Sequence, residues 1–212
     1  MKVIAISGHA RHGKDTVALM LNEQLQKDGY TVLITHYADL LKYICKTFFG
    51  WDGRKDEKGR SLLQYVGTDV VRTKNPDYWV DFVSDILNLF DGQWDYVIIP
   101  DTRFPNEFNK LKERGFNAVH LRVIRTDFAS QLTVEQQTHP SETALDDTIP
   151  DYCIYNTGDL NELNNRVINW LKEEEYVQME FQKRVEQRIK QYVITHSDHI
   201  LGVDCELDEI VN

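Results

Sequence analysis

KVIAISGHARHGKDTV, residues 2–17, is the stretch from which the fold is read. Val3-Ile4-Ala5-Ile6 is a short apolar run of the kind that forms a buried strand. A loop bounded by Gly8 and Gly13 follows, and from Lys14 the pattern turns helical, with Val17, Leu21 and Leu25 on one face. Strand, Gly-x-x-x-x-Gly-Lys loop and helix in that order make the phosphate-binding P-loop arrangement. The backbone N–H groups of such a loop point inward and, with the helix N-terminus, form a concave site for polyphosphate. Lys14 adds a positive charge for the outer phosphates. One position departs from the usual pattern: Asp15 and then Thr16 stand where Ser or Thr normally follows the Lys to hold Mg²⁺. A carboxylate there repels phosphate unless Mg²⁺ lies between them.

Working outward, the first helix is read over 14–28 and stops at Asp28-Gly29. TVLIT, 31–35, is a second strand, and a strand–helix–strand unit implies parallel pairing. In HYADLLKYICKTFFGW, Leu40, Leu41, Ile44, Cys45, Phe48 and Phe49 fall at helical spacing, with Asp39 and Lys42 near the helix start. Residues 50–60, GWDGRKDEKGR, read as an exposed loop, either a plain connection or a cover over a substrate site. Two helices follow, about 61–73 and 77–90, broken at Asn75-Pro76. In the second, Trp79, Phe82, Ile86, Leu89 and Phe90 form an apolar stripe, and Trp79 suits core packing or base stacking. Gly67 inside the first costs about 1 kcal/mol against Ala, which points to close approach by a ligand or another helix. Gln64, Asp69 and Arg72 are spaced to project polar groups to one side.

WDYVIIPDTRFPNE is the second informative stretch. Tyr96–Ile99 reads as a buried strand with Asp101 just past its carboxyl end, where ligands bind in parallel α/β sheets. A carboxylate there holds Mg²⁺ directly or through water; its alternative role is to cap a turn. Arg103 can reach a phosphate or pair with Glu107. A helix over 104–114, a strand over 117–124 and a last strand over 151–155 complete the sheet. Arg122 and Arg125 lie near the end of the fourth strand, and Arg125, just past it, is the better candidate to grip a phosphoryl group. Residues 126–150 are polar and suit a lid; His139 and Glu142 within them do not make a metal motif. Asn156-Thr157-Gly158 is a turn that either walls a base pocket or simply joins strand to helix. The resulting class is α/β: a three-layer α/β/α P-loop fold with a mostly parallel five-stranded sheet.

The length of 212 residues fits one domain with a tail. A hydrophobic fraction of 42% suits a globular chain, and no apolar run approaches the roughly 20 residues that span a bilayer. Met1-Lys2 leads directly into the strand without a signal-peptide pattern, so a cytoplasmic location is expected, the host cytoplasm if the chain is viral. Cys45, Cys153 and Cys205 form no readable disulfide or metal framework. The net charge of −10 argues against polynucleotide binding but permits a nucleotide in a locally basic cleft. Half of that charge lies in residues 171–212, which carry ten acidic and five basic residues. Val177, Phe181, Val185, Ile189 and Val193 recur there every four residues, a stripe that must bury against the domain or against a second copy in a homodimer.

SGHARHGKDT, LLQYVGTDVVR with DYWV, VIIPDTRFPNE and CIYNTGDLNEL together resemble the deoxynucleoside monophosphate kinases typified by bacteriophage enzymes. The resemblance covers residues 1–172, with 36–93 as acceptor-binding helices, 126–150 as the lid, and 173–212 as a helical acidic extension without counterpart. It implies transfer of the γ-phosphoryl group of ATP to a (deoxy)nucleoside 5′-monophosphate, with Mg²⁺. On that basis Lys14 and the amides of Ala10, Arg11, His12, Gly13, Asp15 and Thr16 hold the ATP phosphates. Asp15 and Asp101 hold Mg²⁺, and Arg103 and Arg125 neutralise the transferred group. Asp39, Lys42, Gln64, Thr68, Asp69, Arg72, Trp79 and Arg103 line the acceptor pocket, and Asn156 and Gly158 lie beside the adenine. Two other readings share the loop: another small-molecule P-loop kinase, of the dephospho-coenzyme A or phosphomevalonate type, and a nucleotide-binding switch without acceptor chemistry.

Overall fold

A computed structural model describes residues 1–126 and 128–200. Lys2–Ser7 forms β1, buried along its whole length, and Lys14–Lys27 forms α1, which buries Val17, Ala18, Leu21 and Leu25. The chain continues through β2 (Val32–Ile34), α2 (Ala38–Phe49), α3 (Glu57–Gln64), a π-helical stretch (Tyr65–Arg72) and α4 (Tyr78–Leu89). Then come β3 (Tyr96–Ile99), α5 (Pro105–Glu113), β4 (Asn117–Ile124), the short α6 (Val134–Thr138) and α7 (Pro140–Thr143), β5 (Tyr152–Tyr155) and α8 (Leu160–Ile200). Among the described residues the sheet has five strands in the order β2-β3-β1-β4-β5, every pairing parallel. The three-layer α/β/α class therefore holds.

This order fixes the site. β1 sits between β3 and β4, with Ala5 opposite Ile99 and Ser7 opposite Arg122. The chain thus leaves β1 at the point where the strand order reverses, and the glycine loop, Asp101 and Arg125 all emerge at one sheet edge. Ligand crevices form at such switch points. The main core joins Val3, Val97 and Ile99 of the sheet to Leu41 and Cys45 of α2 and to Trp79, Val80, Val83 and Leu87 of α4.

Three elements differ from expectation. α3 begins at Glu57 inside the expected loop, because Asp56 caps it, its Oδ1 accepting the Gly59 N–H at 2.8 Å. Gly59 is there for packing: a Cβ would lie 2.0 Å from the Arg54 carbonyl oxygen and 2.8 Å from the Trp51 indole nitrogen. Of the apolar stripe read on α4 only Trp79 is buried: Phe82, Ile86, Leu89 and Phe90 are exposed, and the buried face is Trp79, Val80, Val83 and Leu87. The helix is apolar on both faces, so periodicity alone could not choose between them. Finally, the helix that the sequence places over 160–172 runs on as α8 to Ile200, because no Gly or Pro interrupts it.

The chain divides into two compact units, with the boundary between Ile168 and Asn169. In the second unit Val185, Ile189 and Val193 are exposed, so that part of the expected stripe is not buried; the side chains of Val177 and Phe181 lie outside the described residues. No helix among the described residues is long and apolar enough to cross a membrane.

Candidate active site

The glycine loop closes on itself. Gly8 and Gly13 take positive φ values of 139° and 101°, and a Cβ on Gly8 would meet the Val123 carbonyl oxygen at 2.4 Å. Arg11 also has positive φ, 63°, a conformation that costs a non-glycine residue and is held here by its surroundings. Asn156 supplies part of that hold, its Nδ2 donating to the His12 carbonyl oxygen at 2.9 Å. Lys14 lies across the loop, donating from Nζ to the carbonyl oxygens of Gly8 at 2.7 Å and His9 at 2.9 Å. It is buried, and burial with the nearby Arg103 charge lowers its pKa to about 7.

Two of the cavities that open at this loop share lining residues. The first, about 440 Å³, is lined by the loop, the start of α2, the π-helical stretch, Asp101, Arg103 and the segment from Leu132 to Glu142. It holds seven Lys or Arg residues against four Asp or Glu residues, a basic cleft in a chain of net charge −10. The second, about 560 Å³, runs along Gly13–Thr16 to Arg125, Asn156 and Gly158. Arg11, Lys14 and Asp15 line both.

Lys42, Gln64, Thr68, Arg72, Trp79 and Arg103 all line the first cavity. Trp79 also packs in the core and donates from Nε1 to the Gly67 carbonyl oxygen at 3.0 Å. Arg72 pairs with the buried Glu107 and stacks its guanidinium 4.0 Å from the Phe104 ring centre. Glu107 further accepts the backbone N–H groups of Arg103 and Phe104. Burial pushes its carboxyl up to about 7, against the pull of Arg72 and these amides. The Arg103 side chain does not turn to Glu107; it donates to the Ser141 carbonyl oxygen at 3.0 Å and to the Glu142 carboxylate.

Asp39 and Asp69 do not line the cavity. Asp39 is 2.8 Å from Lys42 and 3.3 Å from His36, and Asp69 lies 3.4 Å from His139. Arg125 lines the second cavity with Asn156 and Gly158, its guanidinium 5.0 Å from the Phe128 ring centre.

Asp101 lies at the expected sheet edge, and its carboxylate caps α2. Oδ1 accepts the Tyr37 N–H and Oδ2 the Ala38 N–H, each at 3.0 Å. Asp15 is exposed at the start of α1, 3.9 Å from His36. The His36 imidazole holds the Asp15 carboxyl below its usual range, and Asp15 raises His36 in return.

Sequence reasoning passed over His36, Lys55, Arg60, Glu107 and Glu142. His36 follows β2 as Asp101 follows β3, so the same strand-end rule would have found it. Lys55 and Arg60 sit in the charged stretch 50–60 and line the first cavity, so that stretch is a wall of the cleft. Nothing local marks Glu142, whose partners come from other parts of the chain.

A sequence profile of the deoxynucleotide monophosphate kinase family matches residues 51–167. The chain is similar to the deoxynucleotide monophosphate kinase of Enterobacteria phage T4, 36% identical over 115 residues, covering 53% of this chain and 45% of that protein. It is 29% identical over 204 residues to a protein of Acanthamoeba polyphaga mimivirus provisionally given the same name, covering 80% of this chain and 95% of that one. The match thus spans less than half the length of the phage relative. Among solved structures, a dephospho-CoA kinase from Campylobacter jejuni superposes with a TM-score of 0.48 at 12% identity, over 84% of this chain and 100% of that chain.

Proposed function

Since the chain belongs to the deoxynucleotide monophosphate kinase family, we propose that it transfers the γ-phosphoryl group of ATP to a deoxynucleoside 5′-monophosphate, yielding the diphosphate and ADP. The observation that carries this reading is the pair of cavities that share Arg11, Lys14 and Asp15. A donor in one and an acceptor in the other bring their phosphates to the same lysine.

The chemistry asks for alignment and charge neutralisation more than for a base. The acceptor phosphate has its second pKa near ~6 and is already anionic at pH 7. In this reading the loop amides of Ala10–Thr16 and Lys14 cradle the ATP phosphates, and Arg125 stacks beside the adenine between Asn156 and Gly158. Arg103 neutralises the group in transit. Arg72, held by Glu107 and Phe104, grips the acceptor phosphate, while Trp79, Gln64 and Thr68 frame its nucleoside.

The oxygen donors suit Mg²⁺, which keeps several waters and takes one or two carboxylates plus substrate phosphates. Asp15 offers an exposed carboxylate, whereas both Asp101 oxygens already accept amides, so Asp15 is the main protein ligand and Asp101 acts at longer range. Held there, Mg²⁺ would supply charge neutralisation for the β- and γ-phosphate groups.

A panel of acceptors with ATP, followed by ADP release, tests the assignment. The expected outcome is turnover with one or more deoxynucleoside monophosphates and none with dephospho-coenzyme A or phosphomevalonate. Turnover indifferent to any monophosphate supports a nucleotide switch instead. Lys14→Ala should lower turnover by at least about a hundredfold while leaving the fold intact; a folded variant with near-normal turnover overturns the role given to the loop.

A further inference from the structure

The segment His139–Asp146 links a wall of the first cavity to the glycine loop. At its start, His139 Nε2 lies 3.4 Å from Asp69, and Gln64 Nε2 donates to Ser141 Oγ at 3.4 Å. Farther along it reaches the glycine loop. Glu142 accepts the Ala10 N–H at 3.1 Å and pairs with Arg103, and Asp146 lies 3.2 Å from His9.

Glu142 is the informative member. Its side chain is 7% exposed, and a carboxylate taken that far out of water must be paired and hydrogen-bonded. The carboxylate's partners are a loop amide and a guanidinium, the two kinds of donor that recognise a phosphate oxygen. The loop's anion cradle therefore already holds an anion of the chain's own.

We propose that Glu142 is a positioning residue of phosphoryl transfer: it keeps the Ala10 N–H and the Arg103 guanidinium oriented until the γ-phosphoryl group takes its place. This rests on the reading of the loop as the ATP site. One amide and one arginine cannot serve a carboxylate and a phosphate at the same distance, because the two anions repel. The phosphate carries more charge and also meets Lys14, so it displaces Glu142. Release of Glu142 frees the segment that also holds Gln64 and Asp69, and filling of the donor site is thereby felt at the acceptor wall. A ligand shifts such an equilibrium only through its different affinity for the two arrangements, and here the difference is the contest for Ala10 and Arg103.

The test uses the full chain and its Glu142→Gln variant, with a non-hydrolysable ATP analogue, Mg²⁺ and adenosine as probes. The Gln side chain keeps the shape and still accepts the Ala10 N–H but does not compete as an anion. Calorimetry should give a Kd for the triphosphate about tenfold lower in the variant, and the same Kd for adenosine in both proteins. In the unmodified chain, amide hydrogen exchange over 139–146 should speed up when the triphosphate binds; this reading needs no variant to fold. A triphosphate Kd unchanged or raised in Glu142→Gln, or exchange over 139–146 that slows on binding, overturns the proposal and leaves the nucleotide site standing. Failure of the unmodified chain to bind either probe overturns the nucleotide site and the proposal together.

Discussion

Lys14 is 8% exposed and has the loop carbonyls of Gly8 and His9 as its hydrogen-bond partners. Burial first, and the Arg103 charge second, bring its pKa down to about 7 from 10.5. In the free chain at pH 8.5 it is therefore largely neutral. Polyphosphate oxygens favour the ammonium form, so binding restores the proton. Nucleotide binding should take up close to one proton between pH 7 and 10.5 and weaken as pH rises through that window. Calorimetry at pH 8.5 in buffers of different ionisation heat measures the uptake; none at all would mean that Lys14 is charged before the ligand arrives. At this scale the site was half legible. Lys14, Asp15, Asp101 and Arg103 follow from rules about one strand end or one loop. Glu107 and Glu142 do not, because Arg72 lies 35 residues from the first and Ala10 132 residues from the second. Asp39 and Asp69 belong to the acceptor pocket in the family resemblance, and in the structure each lies beside a histidine, His36 and His139. Spacing says which way a side chain points but not what waits there.

The acceptor wall is made by two elements that depend on glycine in different ways. Gly67 lies in the π-helical stretch, where a Cβ would come 2.7 Å from Leu41 Cδ2. That neighbour is the end of a flexible side chain and can rotate. A Cβ on Gly59 in α3 would come 2.0 Å from the Arg54 carbonyl oxygen, which is backbone and cannot yield without moving the 51–56 turn. Alanine gains about 1 kcal/mol of helix propensity at either position, against an overpacking cost of about 1–3 kcal/mol. Gly67→Ala should therefore change stability by less than about 1 kcal/mol, and Gly59→Ala should destabilise by about 1–2 kcal/mol. Urea unfolding of the two variants checks the order, and equal losses would show that the Arg54 turn gives way easily. The same comparison explains why α3 was misread. Gly59 among Asp, Lys and Arg has the composition of a loop, and its reason for being glycine lies in the packing of Trp51 and Arg54. A π-helical stretch of eight residues is likewise too short for its period to stand apart from an α-helix.

At the scale of the molecule, the parallel sheet with the loop at its switch point was legible because every strand is a compact apolar run followed by helical sequence. The ends of the elements and the outward face of α4 were not, since they depend on what packs opposite. The sheet also buries a titratable group that no local pattern marks. His120 sits in β4 opposite Ala5, fully buried, with Nε2 2.7 Å from Ser7 Oγ and its ring stacked 4.6 Å from Phe108. Burial pushes its pKa down from 6.5 to about 4, so the folded chain keeps it neutral where the unfolded chain would protonate it. The unfolded state binds the extra proton between those values, and stability is lost as pH falls through that window. The full loss amounts to about 3 kcal/mol at one pKa unit per 1.36 kcal/mol. Glu107 runs the other way: its raised pKa makes the folded state the better proton binder between 4.5 and about 7, so its contribution grows as pH falls. The two slopes oppose each other, and the unmodified chain should show a shallow acid profile over pH 4.5–6.5. His120→Gln keeps a partner for Ser7 and removes one slope. Its stability at pH 7.5 is lower for lost packing on Phe108, but between pH 7.5 and pH 5 it should lose about 2 kcal/mol less than the unmodified chain, or gain. Urea unfolding of both proteins at the two pH values isolates His120, because every other titrating group is common to both. Parallel losses would mean that His120 is protonated in the folded chain and that the Ser7 contact under the phosphate loop survives its charge.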